Sequence, residues 1–190
     1  MHSGSVENCI FINNTAASGG AAHLDYGNVI NCTFINNTAT NFGAAIDFSY
    51  DNNVINCTFI NNSGPEHGGA IAGGSNTNVI NSNFTDNSAT INGGAFYFAY
   101  CNGEFVNCNF INNVAPDGGA VYADGHSSFK AINCNFTGNS ATSNGGAIYI
   151  TNEANVTNCN FTNNYASGYG AAVFSNDTGT ISNCNFTNNK

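Results

Sequence analysis

The sequence has no tryptophan and no arginine, and holds only two lysines, two prolines and one methionine. With Lys130 and Lys190 as its only fixed cations against 11 acidic residues, and a formal charge of −9, the chain lacks the Lys and Arg surface that tracks phosphates. Nucleic acid is therefore set aside as a partner, and an anionic membrane surface is disfavoured on the same ground. Long apolar runs are missing too. GGAFYFAY, Gly93 to Tyr100, is the nearest approach to the roughly 18–20 residues of a membrane span, so membrane insertion is not expected. Charged residues make up 7% of the chain while 42% are hydrophobic, a balance that belongs to a packed protein rather than a disordered one.

Asparagine is abundant, at about a fifth of all residues, and with it come 22 glycines and eight cysteines. The asparagines are placed periodically. NVINCTFINN occurs at Asn28 to Asn37 and again, letter for letter, at Asn53 to Asn62. Aligned on Cys9, Cys32, Cys57, Ser82, Cys108, Cys134, Cys159 and Cys184, the chain advances in steps of 23, 25, 25, 26, 26, 25 and 25 residues. Asn precedes this anchor in every copy, as Asn31 and Asn56 show. Phe follows it by two, as in Phe34 and Phe59, and Asn by five, as in Asn37 and Asn62. A second block, GGA and an apolar residue, recurs at Gly19, Gly68, Gly93, Gly118 and Gly145, and becomes GAA at Gly43 and Gly170. After it the residues alternate with period two: Gly146, Ile148 and Ile150 on one face, Ala147, Tyr149 and Thr151 on the other.

Helices crowded with Asn, Gly, Thr and β-branched residues are unfavourable. Short strands punctuated by Asn and Gly at a period near 25 residues instead predict an all-β fold, a parallel β-solenoid of about eight coils. Coils would stack at roughly 4.8 Å, so each column sits on its own copies, Phe ring on Phe ring and Asn amide on Asn amide. Parity places a corner at the Asn before the anchor, because only a bend lets Val29, Cys32 and Phe34 all point inward. Asn tolerates the left-handed backbone of such a corner. Residues 1–190 read as a single solenoid segment, with 1–5 as a leader. The opening MHSGSVENCIF holds no basic region followed by an apolar stretch, and the last coil stops half-way, so a piece of a longer repeat protein is expected. Its open ends would invite end-to-end self-association.

The FxxN signature (Phe34 to Asn37, Phe59 to Asn62 and their copies) and GGA plus a branched apolar residue resemble the repeats of chlamydial polymorphic outer membrane proteins. The fuller form, with N-C-x-F and heavy Asn, most resembles adhesin-like surface proteins of methanogenic archaea, over Val6 to Asn189. The resemblance implies a right-handed, single-stranded parallel β-helix in a large extracellular or cell-surface protein. It does not choose an activity, since this architecture serves adhesins and polysaccharide enzymes alike.

Seven of the eight cysteines fall in one inward column interrupted by Ser82, and Cys101 lies outside it. Three readings stand open: buried free thiols acting as small apolar residues, partial disulfides between adjacent rungs, and a metal site, against which the missing CxxC spacing counts. No metal and no cofactor is expected.

Candidate site residues are few. Tyr97, Tyr122, Tyr149 and Phe174 are column neighbours expected to form an exposed aromatic ladder, able to stack on sugar rings or on a partner protein, or simply to brace the sheet. His23, Asp25 and Asp47 are the one coherent polar cluster, read as a solvated patch or a weak cation site. His67, Asn92, Asp117 and Asn144 form a polar column before the glycines, read as turn chemistry because no calcium-loop pattern accompanies it. Asn83 and Thr85, Asn135 and Thr137, Asn160 and Thr162, and Asn185 and Thr187 are outward pairs that also spell glycosylation sequons. Catalytic residues are not identified: a lyase lacks its Arg and Lys, and a hydrolase would need facing carboxylates, with Asp47 the best candidate. A non-catalytic extracellular structural or adhesin segment, binding a cell-surface glycan or protein, is the leading expectation. A β-helix polysaccharide hydrolase is the alternative, and ice binding is weakened by Ile12, Ile35, Ile60 and Ile111 in the Thr rank.

Overall fold

The computed structural model describes residues 3–64, 66–98, 102–124 and 127–190; Cys101 lies outside them. Every regular element among these is a β-strand, and all the strand pairs are parallel. One coil runs Tyr26–Ile30 on sheet A, Thr33–Ile35 on sheet B, Thr38–Ala39 on sheet C and Ile46–Phe48 on sheet D. The chain then returns to sheet A at Asn52–Ile55 and lies on its predecessor, Val29 opposite Val54. Sheets A and B have eight strands each and C and D seven, so about seven complete turns are followed by the first half of another. The duplicated decapeptide is two neighbouring rungs, with Phe34 on Phe59 and Ile35 on Ile60. Residues 3–5, set apart by sequence as a leader, belong to the first rung, where the strand Ser3–Glu7 pairs Ser3 with Tyr26.

Among the described residues, three in each complete coil have left-handed backbone, and they make the corners. The Asn before the anchor, as expected, lies at φ 52–55° in all eight copies, Asn31 and Asn56 among them at 53°. The first Gly of each GGA block is the third corner: at Gly93, φ is +66° and a Cβ would stand 2.2 Å from the Phe96 carbonyl oxygen. Between them lies a corner that the repeat alignment missed, formed by Asn13, Asn36, Asn61, Asp86, Asn112, Gly138, Asn163 and Asn188. The residue type varies, but only among those that accept positive φ most readily.

The core is built of columns. Phe11 to Phe186 stack at 4.8–4.9 Å between ring centroids with planes within 3–4°. Asn37, Asn62, Asn87, Asn113 and Asn139 are wholly buried, and each is saturated. Asn62 Nδ2 donates to Phe34 O at 3.1 Å and to Asn87 Oδ1 at 2.9 Å, while its Oδ1 accepts the backbone N–H and the amide of Asn37. A buried polar ladder of this kind is tolerated because no donor is orphaned. Volume is conserved along the axis. Where Phe98, Phe105 and Phe129 swell the core, Gly73 and Gly103 make room; a Cβ on Gly103 would lie 2.0 Å from the Phe98 ring.

The cysteine column points inward, and its seven members are free thiols. Their role is more specific than filling space. Cys57 Sγ donates to Ile55 O at 3.3 Å and accepts the Cys32 backbone N–H at 3.5 Å. Ser82 takes over both contacts at 3.0 and 3.1 Å, so the interruption preserves the hydrogen bonding while changing the atom. Burial pushes the Cys57 thiol up to about 11. One expectation fails at the GGA block: Ala147, assigned to the outer face, is fully buried along with Gly146 and Ile148. The block is a corner and alternation begins only at Ile148, the first residue of the strand Ile148–Ile150.

Candidate functional site

Sheet D carries one outward column, with strand pairing fixing its order as His23, Asp47, Ala72, Tyr97, Tyr122, Tyr149 and Phe174. The aromatic ladder and the polar cluster, two separate candidates in sequence, are thus the two ends of a single file. Both exist because the strand after each GGA corner turns its first and third residues inward and its second outward, as Val121 and Ala123 flank Tyr122.

The ring stack is longer than the four residues named from sequence. Tyr97 to Tyr122 is 5.6 Å, Tyr122 to Tyr149 4.8 Å and Tyr149 to Phe174 4.7 Å, with planes within 7–23°. Ala72 offers no ring below Tyr97. The His67 imidazole takes that place from the turn before the glycines, 4.5 Å from Tyr97, and Phe42 continues the stack 5.6 Å beyond. Six rings therefore run without a break. At the other end Tyr169, from the same turn position as Phe42 and His67, leans on Phe174 at 6.4 Å.

The ladder, expected to be exposed, is half-buried: each ring covers the faces of its neighbours and leaves edges and outer rims to solvent. Burial, aided by Tyr149, Asp117 and Asp124, pushes the Tyr122 phenol up to about 12, so burial favours its protonated form. Tyr149 shifts the same way, from burial and from Asp117. Burial holds the His67 imidazole below its ordinary value, against an upward pull from Glu66, and its Nδ1 has no hydrogen-bond partner among the described residues. Burial thus favours the neutral form of the ladder's imidazole.

At the polar end His23 faces Asp47 across the rung boundary, Nδ1 to Oδ2 3.0 Å. Its Nε2 is 3.3 Å from Ser49 Oγ and 3.6 Å from Asp25 Oδ1. Burial raises the Asp47 carboxyl, and the His23 contact pulls back against that rise. Asp25, His23 and Asp47 therefore meet as the sequence suggested, with the imidazole between the two carboxylates. Among the described residues no group of three His, Cys, Asp or Glu side chains converges as metal ligands would.

The remaining candidates behave as framework. In the column before the glycines, Asp117 Oδ1 accepts from the backbone and side chain of Asn144 at 2.9 and 3.1 Å, and Asn144 Oδ1 accepts from Tyr169 N at 2.9 Å. His67 departs from this pattern by entering the ring stack. On sheet B the outward Asn83, Asn109, Asn135, Asn160 and Asn185 link amide to amide at 2.8–2.9 Å.

The sequence matches the family described as "Right handed beta helix region" over residues 2–153 and again over residues 93–190, which together span almost the whole chain. No curated protein and no solved structure matches it.

Proposed function

The chain belongs to the family of right-handed β-helix regions, and we propose that it is a non-catalytic structural or adhesin segment of an extracellular surface protein. In this reading it binds a cell-surface glycan through the aromatic column of sheet D. The observation that carries the proposal is the unbroken stack from Phe42 through His67, Tyr97, Tyr122 and Tyr149 to Phe174. Aromatic rims with protonated phenol hydroxyls offer the CH faces and hydroxyls of sugars both of the contacts they use. Acidic composition supports a neutral or cationic glycan over a polyanion. The extracellular assignment rests on the resemblance to surface-protein repeats and on the rank of sequons along sheet B.

The experiment is a glycan array probed with the wild type and with Tyr122→Ala/Tyr149→Ala. Retention of the wild type and its loss in the double variant is the expected result; equal retention of both rejects the ladder. The hydrolase alternative assigns Asp47 a chemical role and predicts release of reducing ends from neutral or acidic polysaccharides, lost in Asp47→Asn. Absence of turnover across a broad polysaccharide panel would count against it.

A further inference from the structure

The outward column of sheet D changes character at one point. Below Ala72 stand Asp47 and His23; above it stand Tyr97, Tyr122 and Tyr149. Every other step of the column is filled by a ring or a polar side chain that reaches its neighbour, whereas at Ala72 it is cut back to a methyl group. The strand Ile71–Gly73 ends one residue past Ala72, and the chain goes on through Gly74 and Ser75. Gly74 has no room for a side chain, because a Cβ there would lie 2.4 Å from the Tyr50 carbonyl oxygen. The result is a notch of about 310 Å³, lined by Phe42, Asp47, Ser49, Ala72, Ser75 and Tyr97 among others.

Its chemistry is mixed in a particular way. Phe42, 39% exposed, and Tyr97 contribute aromatic surface. Asp47 contributes a carboxylate whose Oδ2 is held by His23 Nδ1 at 3.0 Å, and no described residue other than His23 hydrogen-bonds to this side chain. Oδ1 thus keeps its acceptor capacity on a residue that lines the notch, and the bond on its twin oxygen holds the carboxylate. Ser49, itself tied to His23 at 3.3 Å, and Ser75 add hydroxyls on the same rim. An anion is repelled by Asp47, and a flat aromatic ligand leaves the carboxylate unpaired. A pyranose ring meets both demands, with CH groups toward the aromatic wall and a hydroxyl donating to Oδ1. The volume stands at the low end of ligand cavities, enough for one sugar ring.

We propose that this notch is a subsite for a single neutral pyranose residue, the point at which a glycan lying along the ladder is anchored and its register fixed. The proposal rests on the glycan-binding reading of the ladder and adds the sugar class and the residues that select it: Asp47 as acceptor, Ser49 and Ser75 as hydrogen-bonding rim, Phe42 and Tyr97 as platform. His23 acts through Asp47 as a positioning residue.

The test is saturation-transfer NMR on the full chain with methyl glucopyranoside, methyl galactopyranoside and methyl mannopyranoside as probes, and methyl glucuronide as the charged counterpart. The expected result is transfer to at least one neutral methyl pyranoside and none to the glucuronide. Binding should weaken at least tenfold in Asp47→Asn, which keeps the shape, and should vanish in Ala72→Leu, which fills the floor. Circular dichroism of each variant establishes that the solenoid is retained, and Asp47→Asn decides the matter if Ala72→Leu does not fold. Polysaccharide retention that depends on Tyr122 and Tyr149, with no pyranoside signal or with one indifferent to Asp47→Asn, overturns the subsite and leaves the ladder standing. Failure of the wild type to retain any glycan removes both.

Discussion

Replacing Asn87 by alanine should destabilise the protein far more than replacing Asn160, although each makes two amide-to-amide bonds in its column. Asn87 is fully buried. Its Oδ1 accepts the Asn62 backbone N–H at 3.0 Å and the Asn62 amide at 2.9 Å, and its Nδ2 donates to Phe59 O and Asn113 Oδ1 at 3.1 and 3.0 Å. Truncation leaves two Asn62 donors without an acceptor where water does not reach. At about 1–3 kcal/mol for each orphaned group, the loss is about 2–6 kcal/mol, centred near 4. Asn160 donates to Asn135 Oδ1 and accepts from Asn185, both at 2.9 Å, but it is exposed, and water replaces each lost bond. Its alanine variant should lose no more than about 0.5 kcal/mol. Asn87→Asp keeps the acceptor but forfeits both donated bonds and brings a charge into the core, so its loss should match or exceed that of the alanine variant. Urea denaturation followed by circular dichroism measures all three from the midpoint at constant slope. Equal losses for Asn87→Ala and Asn160→Ala would refute the reasoning that burial, rather than the number of bonds, sets the worth of an Asn ladder.

Gly103→Ala forces a Cβ to within 2.0 Å of the Phe98 ring and should cost about 1–3 kcal/mol by overpacking, read as a lower melting temperature. His67 has a folded-state pKa below the unfolded value of 6.5, so its stabilising contribution is complete above that pH and is lost as the pH falls through the folded value. The melting temperature should therefore drop on acidification from about pH 8 to about pH 5 by more in the wild type than in His67→Phe, which keeps the ring and removes the proton site. Cys57, buried and with its thiol pushed up to about 11, should resist iodoacetamide at about pH 8 in the native protein and react once it is unfolded, as peptide mass spectrometry can show. Fast native alkylation there would mean that the column opens.

Column positions were legible in the sequence because identical residues stack on themselves. A Phe every 25 or so residues can reach only other copies of itself, so Phe34 on Phe59 and Asn37 on Asn62 followed from spacing alone. The corner at Asn31 followed from parity. The corner at Asn36 did not, because its column mixes Asn, Asp86 and Gly138, and a search for identity passes over a position whose shared property is tolerance of positive φ. Side chains that leave their own column were hidden in the same way: His67 stacks beneath Tyr97 from a turn position because Ala72 is small, a relation that no register predicts. Ser82 held a clue left unread, since a hydroxyl replaces a thiol most readily where the atom hydrogen-bonds. Register already sets His23 beside Asp47 in one outward column, but the polar cluster and the ladder differ in chemistry and are separated by the small Ala72; its pairing with both Asp47 and Tyr97 joins them.

With no tryptophan in the chain, its fluorescence comes from eight tyrosines, three of which stand in the ladder. Titration of the protein with a polysaccharide retained on the array, followed by tyrosine emission, therefore tests the central claim directly. A saturable change in the wild type that disappears in Tyr122→Ala/Tyr149→Ala is the predicted result. The same saturable change in the double variant would contradict binding at the ladder.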